Sequence, residues 1–520
     1  MKSKALSTQQ IYLIALGLLL GVGLVALVLW LNWSKPSRNL TLLATGDIML
    51  AREVENRVLR ADDFTAPFEF ATELIRSADL AFANLETPLF PGPMTAAYHM
   101  IFRADPRFAL ALKQVGWDVF SLSNNHAGDA GQPGLNQTLD ELERVGIKTV
   151  GTGKTAEAAR QPLVIEKNGL KIAYLAYTDK AISNFKGETV NFMSIENLKA
   201  DLKTVRPRAD LVIVSMHAGV EYQNVTPSQK QVEFAHTAIE YGADLVLGHH
   251  PHVLQPIEEY QGKLIFYSLG NFVFDQMQFE ATREAVLVKF HFNNRKLDSL
   301  EFFPYVIYDY YLPKPVEGKQ ASKILNRLSS KIHLQPELTW QAGEIQVQSK
   351  WVYELAGSNF QSDLNANGQL ETYNLAEGQV TVSENEQVLW QSPAEYKVDH
   401  MTHGDLNHDG KEDLILTLWK EGSYGPSQPF WIKERDESYA QHLFFYTWDG
   451  DQLQLSWGSS NLEAPLTYLN ARDLDQDGKT DLIAGESTYT DPEQAQRVLL
   501  LKFKHWNLFV EQATDLQVSL

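Results

Sequence analysis

From residue 39 onward, apolar positions gather into short runs separated by stretches of mixed character. The runs read "NLTLLATG", "ADLAFAN", "WDVFSLSN", "LKIAYLAYT", "ADLVIVSM", "ADLVLG", "KLIFYSLGN" and "EAVLVKFHF". Most are apolar at consecutive rather than alternate positions, the pattern of strands covered on both faces. Between them lie stretches such as "GLNQTLDELERVG" and "SQKQVEFAHTAIEYG", apolar at helical spacing and closed by a glycine that stops the helix. Strands separated by helices predict a mostly parallel sheet with both faces covered, an α/β domain over residues 39–312. Beyond it, "LPKPVEGKQ" reads as a linker, so residues 313–350 are expected to hold that linker and a short helix, "ASKILNRLSSKI".

Both ends of the chain differ from this middle. "IYLIALGLLLGVGLVALVLWL", residues 11–31, contains no charged residue. At about 1.5 Å per residue a helix of that length covers roughly 30 Å, one hydrocarbon core. Tyr12, Trp30 and Trp33 stand where interfacial aromatics belong. A cleaved signal has an apolar stretch of only about 7–15 residues and a small-residue cleavage site, which is missing here. The reading is a short tail over residues 1–10 and an uncleaved transmembrane signal anchor over residues 11–33. The expected location is the cell membrane, single-pass, with the bulk of the chain extracytoplasmic. Residues 351–520 are rich in tryptophan and tyrosine and carry polar turns, of which "DLNANGQLE" (363–371), "DLNHDGKED" (405–413) and "DLDQDGKTD" (473–481) resemble one another. Such an irregular repeat predicts an all-β array.

Composition narrows the chemistry. The 520 residues exceed one compact domain, and the formal charge of −20 argues against a nucleic-acid partner. Cysteine is absent, which excludes disulfides, thiolate metal sites and cysteine nucleophiles. Metal ligands must therefore come from His, Asp, Glu and Asn.

Those residues fall where the strand-like runs stop. "LLATGD" ends in Asp47, "LAFANLE" in Asn84 and Glu86, "FSLSNNH" in Asn125 and His126, "VIVSMH" in His217, and "LVLGHHPH" in His249, His250 and His252. In a parallel α/β sheet the carboxyl ends of the strands share one edge, where ligands bind. Singly, each residue is an ordinary helix cap or structural histidine; together they predict one site. Carboxylates, an amide oxygen and imidazoles without sulfur suit one or two divalent ions of the Mn, Fe or Zn type. In an extended turn His250 and His252 point into one crevice, while His249 faces away or supports them. Asn125 beside His126 pairs an amide ligand with an imidazole able to donate a proton. Glu221, Tyr222 and Asn271 are further candidates for lining substrate or supporting ligands, and Arg52 and Arg103 for holding an acidic substrate.

The ordered motifs "GD", "NLE", "NNH", "HAGVEY", "GHHPHV" and "SLGNF" over residues 41 to about 300 resemble the CapA family of bacterial capsule and poly-γ-glutamate synthesis proteins, itself similar to the calcineurin-like metallophosphoesterases. The resemblance implies a four-layer α/β sandwich with a metal-centred, hydrolase-type cleft. It also implies a membrane-anchored protein that synthesises, exports or anchors an anionic polymer alongside other capsule-synthesis membrane proteins. Carried over, the pattern gives Asp47 and His252 to a first metal, Glu86 to a bridging role, Asn125, His217 and His250 to a second metal, and His126 to the acid role. Two departures stand out. Asp47-Ile48-Met49 replaces the usual Asp-x-His, and "NLE" leaves Asn84 and Glu86 competing for one position. Two other functions stay open: a phosphoesterase or nucleotidase acting on small phosphate esters, and a polymer-binding anchor that cuts nothing.

In the C-terminal part, "DLNHDGKED" and "DLDQDGKTD" match a loop whose alternate side chains converge on calcium. The candidate ligands are Asp405, Asn407, Asp409 and Asp413, and Asp473, Asp475, Asp477 and Asp481. Leu416 and Ala484 stand where an EF-hand needs glutamate, so the loops resemble the shorter ones of FG-GAP or integrin-type β repeats. "DLNANGQLE" reads better as an Asn-Gly turn.

Overall fold

The computed structural model describes residues 38–515 apart from 92–100, 181–188, 225, 329–334, 342–343, 355–358, 386, 423–436, 491–494 and 505–506. The expected tail and membrane anchor lie outside the described residues. Among those described, no helix is long and apolar enough to cross a membrane.

The α/β part runs through β1 (Asn39–Ile48), β2 (Leu80–Leu85), β3 (Val119–Ser121), β4 (Lys148–Val150), β5 (Leu163–Lys167), β6 (Leu170–Thr178), β7 (Leu211–His217) and β8 (Leu245–His249). It continues through β9 (Ile257–Tyr260), β10 (Lys263–Phe266), β11 (Asn271–Val273), β12 (Glu284–Asn293), β13 (Lys296–Tyr308), β14 (Leu312–Pro315), β15 (Gln335–Gln341) and β16 (Glu344–Glu354). These strands form two sheets, not the one sheet expected: β15-β16-β13-β12-β1-β2-β3-β4, with β11 on β1 and β14 on β13, and β5-β6-β7-β8-β10-β9. Pairing is parallel from β1 to β4 and across β6, β7, β8 and β10, while β12 joins β1 antiparallel. The apolar runs could not reveal this. A strand buried on both faces reads the same whether its second face meets a helix or another sheet.

Three apolar layers hold the part together. Between the sheets, Phe82 stacks on Tyr174 at 5.6 Å and Phe290 meets Phe266 edge-on at 5.3 Å. Outside the first sheet, helices Arg52–Ala61 and Phe108–Val115 bury Val54, Val58, Phe108 and Leu112. Outside the second, helices Ile195–Val205 and Gln229–Glu240 bury Leu198, Leu202, Phe234 and Ala238. The order helix, sheet, sheet, helix is the four-layer arrangement that the resemblance implied.

The segment 313–350 is not a linker. β14 pairs with β13, the helix Gly318–Asn326 sends Ala321, Ile324 and Leu325 into the inter-sheet core, and β16 pairs with β13 on one side and with the edge strand β15 on the other. Its prolines and lysines suit an edge strand, where a missing N–H costs little.

The remaining strands form three four-stranded antiparallel sheets: β17 (Asn359–Ser362) to β20 (Gln387–Gln391), β21 (Lys397–Gly404) to β24 (Leu453–Gly458), and β25 (Leu466–Arg472) to β28 (Asn507–Asp515). They stack face to face. Leu414, Leu416 and Phe444 of the middle sheet pack toward the first, and their strand neighbours Ile415, Leu443 and Phe445 toward the third. Each repeated turn joins the first and second strands of its sheet, so the sequence repeat is a sheet repeat.

Candidate metal centre

Two glycines let the strand ends meet. A Cβ on Gly46 would sit 1.9 Å from the Gly270 carbonyl oxygen, and one on Gly248 would sit 2.0 Å from that of Tyr267. The bare backbone at Gly46 lets the Asp47 N–H donate to Gly270 O at 2.9 Å, which fixes the carboxylate at the end of β1. Past β8 the chain does not form the extended turn that was expected. His250 and His252 take φ values of +97° and +58°, a left-handed backbone costly for any residue but glycine. That strain turns both imidazoles to one side, and the His250 N–H donates to Asp47 Oδ2 at 3.2 Å.

The cluster draws on both sheets. Asp47 and Glu86 come from the ends of β1 and β2, Asn125 from the loop after β3, His217 from the end of β7, and His250 and His252 from the turn after β8. The site therefore lies across the facing edges of two sheets. His217 is its hub. Its Nε2 lies 2.7 Å from Asn125 Oδ1, 3.2 Å from His250 Nδ1 and 3.6 Å from Glu86 Oε1. Its Nδ1 lies 3.9 Å from Asp47 Oδ1. His252 Nδ1 lies 3.4 Å from Asp47 Oδ2, and its Nε2 lies 3.9 Å from Glu86 Oε1. All six predicted ligands are thus brought together. Asp47, Glu86 and His217 offer donor atoms within 4.8 Å of one another, as do Glu86, His250 and His252.

Burial fixes the protonation states. It drives His217 well below its ordinary value, helped by the surrounding imidazoles, and drives His250 down to about 2. Both rings are neutral at ordinary pH, with a lone pair available to a ligand. Glu86 is pushed well above its ordinary value, first by burial and then by the charges of Asp47 and Glu221. Both its oxygens are buried without a hydrogen-bond partner. An orphaned carboxylate among neutral imidazoles is the signature of a cation site, and this donor set fits a divalent ion of the Mn, Fe or Zn type.

The supporting residues sort out differently from the expectation. Asn84 is no ligand competitor: its amide donates to Asp47 Oδ1 at 2.8 Å and lies 3.2 Å from His217 Nδ1. His249 faces away, its Nε2 3.2 Å from the Thr45 carbonyl between the sheets. Asn271 Oδ1 lies 3.0 Å from His252 Nδ1 and orients that ring. Tyr222 stands with its ring 6.3 Å from that of His252, and Glu221 lines a cleft of about 390 Å³ with Asn125, Lys180, Gly219, Val220 and His250. Arg52 pairs with Asp275 and Arg103 lies over the Phe90 ring, and neither lines this cleft. Lys180 does, its Nζ 3.4 Å from Asp179 Oδ1 and donating to the Gly219 carbonyl. The sequence reading missed it, although it follows "LAYTD" at the end of β6 and the same strand-end rule reaches it. The position of the absent first-strand histidine is filled by Met49, buried in the helix-side core.

His126 is held by residues that were also missed. Its Nδ1 lies 2.7 Å from Asp129 Oδ2, its ring stacks on Phe102 at 3.8 Å, and its N–H donates to Asn124 Oδ1. Asp129 accepts the Phe102 N–H as well, so one carboxylate fixes both rings. Nε2 is left facing Glu86 Oε1 at 3.9 Å. The motif "NNHAGD" held Asp129 in plain view, but spacing alone gives no reason to turn it toward the histidine.

Comparison with known proteins bears on the family. The family model "Bacterial capsule synthesis protein PGA_cap" matches residues 41–276. The chain is 34% identical over 282 residues to the PGA biosynthesis protein CapA of Bacillus subtilis (strain 168), covering 52% of this chain and 72% of that protein. It is 32% identical over 295 residues to the capsule biosynthesis protein CapA of Bacillus anthracis, covering 54% and 71%. Among solved structures, the calcineurin-like phosphoesterase YfkN from Bacillus subtilis overlaps 62% of this chain and 92% of its own, at 15% identity and a TM-score of 0.30, too slight a likeness to carry weight. These matches show that the chain belongs to the bacterial capsule synthesis protein family, the CapA family.

Proposed function

We propose that this chain is a membrane-anchored, extracytoplasmic capsule synthesis protein that acts on an anionic polymer such as poly-γ-glutamate through a metal-dependent, hydrolase-type cleft of metallophosphoesterase type. The observation that carries the reading is Glu86, fully buried with both oxygens unpartnered among His217, His250 and His252. Asp47, Glu86, Asn125, His217, His250 and His252 would hold one or two divalent ions. The chemistry such an ion supplies is Lewis acidity toward a carbonyl or phosphoryl oxygen. Around it, Lys180 at the cleft wall attracts and orients an anionic group of the polymer. His126, aligned by Asp129, holds a proton at Nε2 for a departing atom, and Phe102 keeps water from one face of its ring.

The apolar run over residues 11–33 would tether the chain to the membrane beside other capsule-synthesis proteins. Calcium would occupy the loop formed by Asp405, Asn407, Asp409 and Asp413, where Asp413 is buried with one oxygen unpartnered. The test is elemental analysis of the purified full chain together with turnover of γ-glutamyl polymer and of phosphate esters. The reading expects bound Mn, Fe or Zn, lost in His217→Ala, and polymer cleavage lost with it. A chain that takes up no such metal after reconstitution contradicts it; cleavage of phosphate esters alone would shift the substrate to that class.

A further inference from the structure

The repeated loops share one backbone but meet different side chains. In each, the first aspartate accepts N–H groups four and five residues on. Asp363 does so from Asn367 and Gly368, Asp405 from Asp409 and Gly410, and Asp473 from Asp477 and Gly478, all at 2.9–3.0 Å. The fourth residues, Ala366, His408 and Gln476, have φ of 56–60° in all three. Differences begin across the sheet. In the first loop, Glu384 Oε1 accepts from the amides of Asn365 at 3.2 Å and Asn367 at 2.6 Å. In the second, Thr447 faces Asp413 in register and donates to one of its oxygens, while the other stays buried and unpartnered. In the third, Lys502 follows Leu501, the partner of Leu482, and so faces Asp481. Its Nζ lies 2.5 Å from Asp475 Oδ2, 3.1 Å from Asp477 Oδ2 and 3.4 Å from Asp481 Oδ1.

The second and third loops differ in a matched pair. Asn407 with Thr447 in one corresponds to Asp475 with Lys502 in the other, so the extra negative charge arrives together with a positive one. We infer that the Lys502 ammonium is the built-in cation of loop 473–481, seated where a divalent ion would sit, so that this loop does not bind calcium. The inference rests on reading the second loop as a calcium site, and it reverses the expectation that Asp473, Asp475, Asp477 and Asp481 are ligands. Calcium needs its oxygens at about 2.3–2.6 Å. An ammonium already touching three of the carboxylates leaves no room for an ion bound by the same oxygens. Burial works against the ammonium, yet its hydrogen bonds to Asp475 and Asp477 and the charge of Asp481 outweigh that and raise its pKa.

The test is calcium titration of the full chain by calorimetry, with stoichiometry compared across variants. Asp475→Asn should leave the wild-type stoichiometry unchanged. Lys502→Thr, which copies the second loop, and Lys502→Met should each gain one equivalent, lost again when Asp475→Asn is added. A wild-type chain that loses an equivalent on Asp475→Asn overturns the inference, as does the absence of any gain in both lysine variants. A lysine variant that folds only with calcium supports it, and one that stays unfolded in calcium counts against it. Asp409→Asn reports on the second loop separately: an unchanged wild-type stoichiometry there sinks the calcium reading of that loop, while the lysine variants still judge the third.

Discussion

Glu86→Gln should stabilise the metal-free protein and weaken its hold on metal, opposite effects from one substitution. The side chain is fully buried, both oxygens lack partners, and the Asp47 carboxylate offers a donor atom within 4.8 Å. Two unit charges at that separation repel by roughly 3.5 kcal/mol at an effective dielectric of about 20. Glu86 escapes part of this by holding a proton well above its ordinary value, so the relief from removing the charge is smaller, about 1–2 kcal/mol. Bound metal inverts the balance, because the carboxylate is then a ligand and glutamine a weak one. Affinity should fall by at least about tenfold, the scale that even outer partners of a metal site contribute. The assay is a thermal scan of wild type and variant, each after chelation and after metal loading. The account expects the variant to melt higher than wild type when stripped and to gain less on loading. A stripped variant that melts lower, or that binds metal as tightly as wild type, refutes the reasoning.

Other perturbations test separate links. Asp129→Asn should leave metal content intact but lower polymer turnover about 10–100-fold, through loss of the His126 orientation; unchanged turnover, or metal loss, argues against that role. Gly46→Ala forces a Cβ to 1.9 Å from Gly270 O and should cost about 3 kcal/mol or more, read as a lowered melting point. Phe82→Ala removes the stack on Tyr174 between the sheets and should cost about 3–5 kcal/mol. Burial holds His442 below its ordinary value of 6.5, so the native state binds fewer protons there than the unfolded chain. Stability of the C-terminal sheets should therefore fall as pH drops through 6.5, and His442→Gln should flatten that slope in pH-dependent melting.

The ligands were readable because each stands at the end of an apolar run, and strand direction alone sends Asp47, Glu86, His217 and the 250–252 turn toward one side. The division into two sheets was not, since the burial patterns of β2, β7 and β8 have no exposed position to mark which face meets what. Residues 313–350 looked like a linker because prolines and lysines mark both linkers and edge strands. Lys180 was within reach of the strand-end rule, whereas Asp129 escaped because its role lies in a side-chain direction that spacing does not give. Lys502 escaped because, although its loop is legible at residues 473–481, the counter-charge arrives from a strand paired across the sheet.

The central claim is that two sheets bring six side chains to one metal centre. Anomalous diffraction from crystals of the protein grown with manganese tests it most directly. The account predicts a peak within bonding distance of Glu86 together with His217, His250 or His252. A clear map with no density among those residues, or with manganese bound only elsewhere, would contradict it.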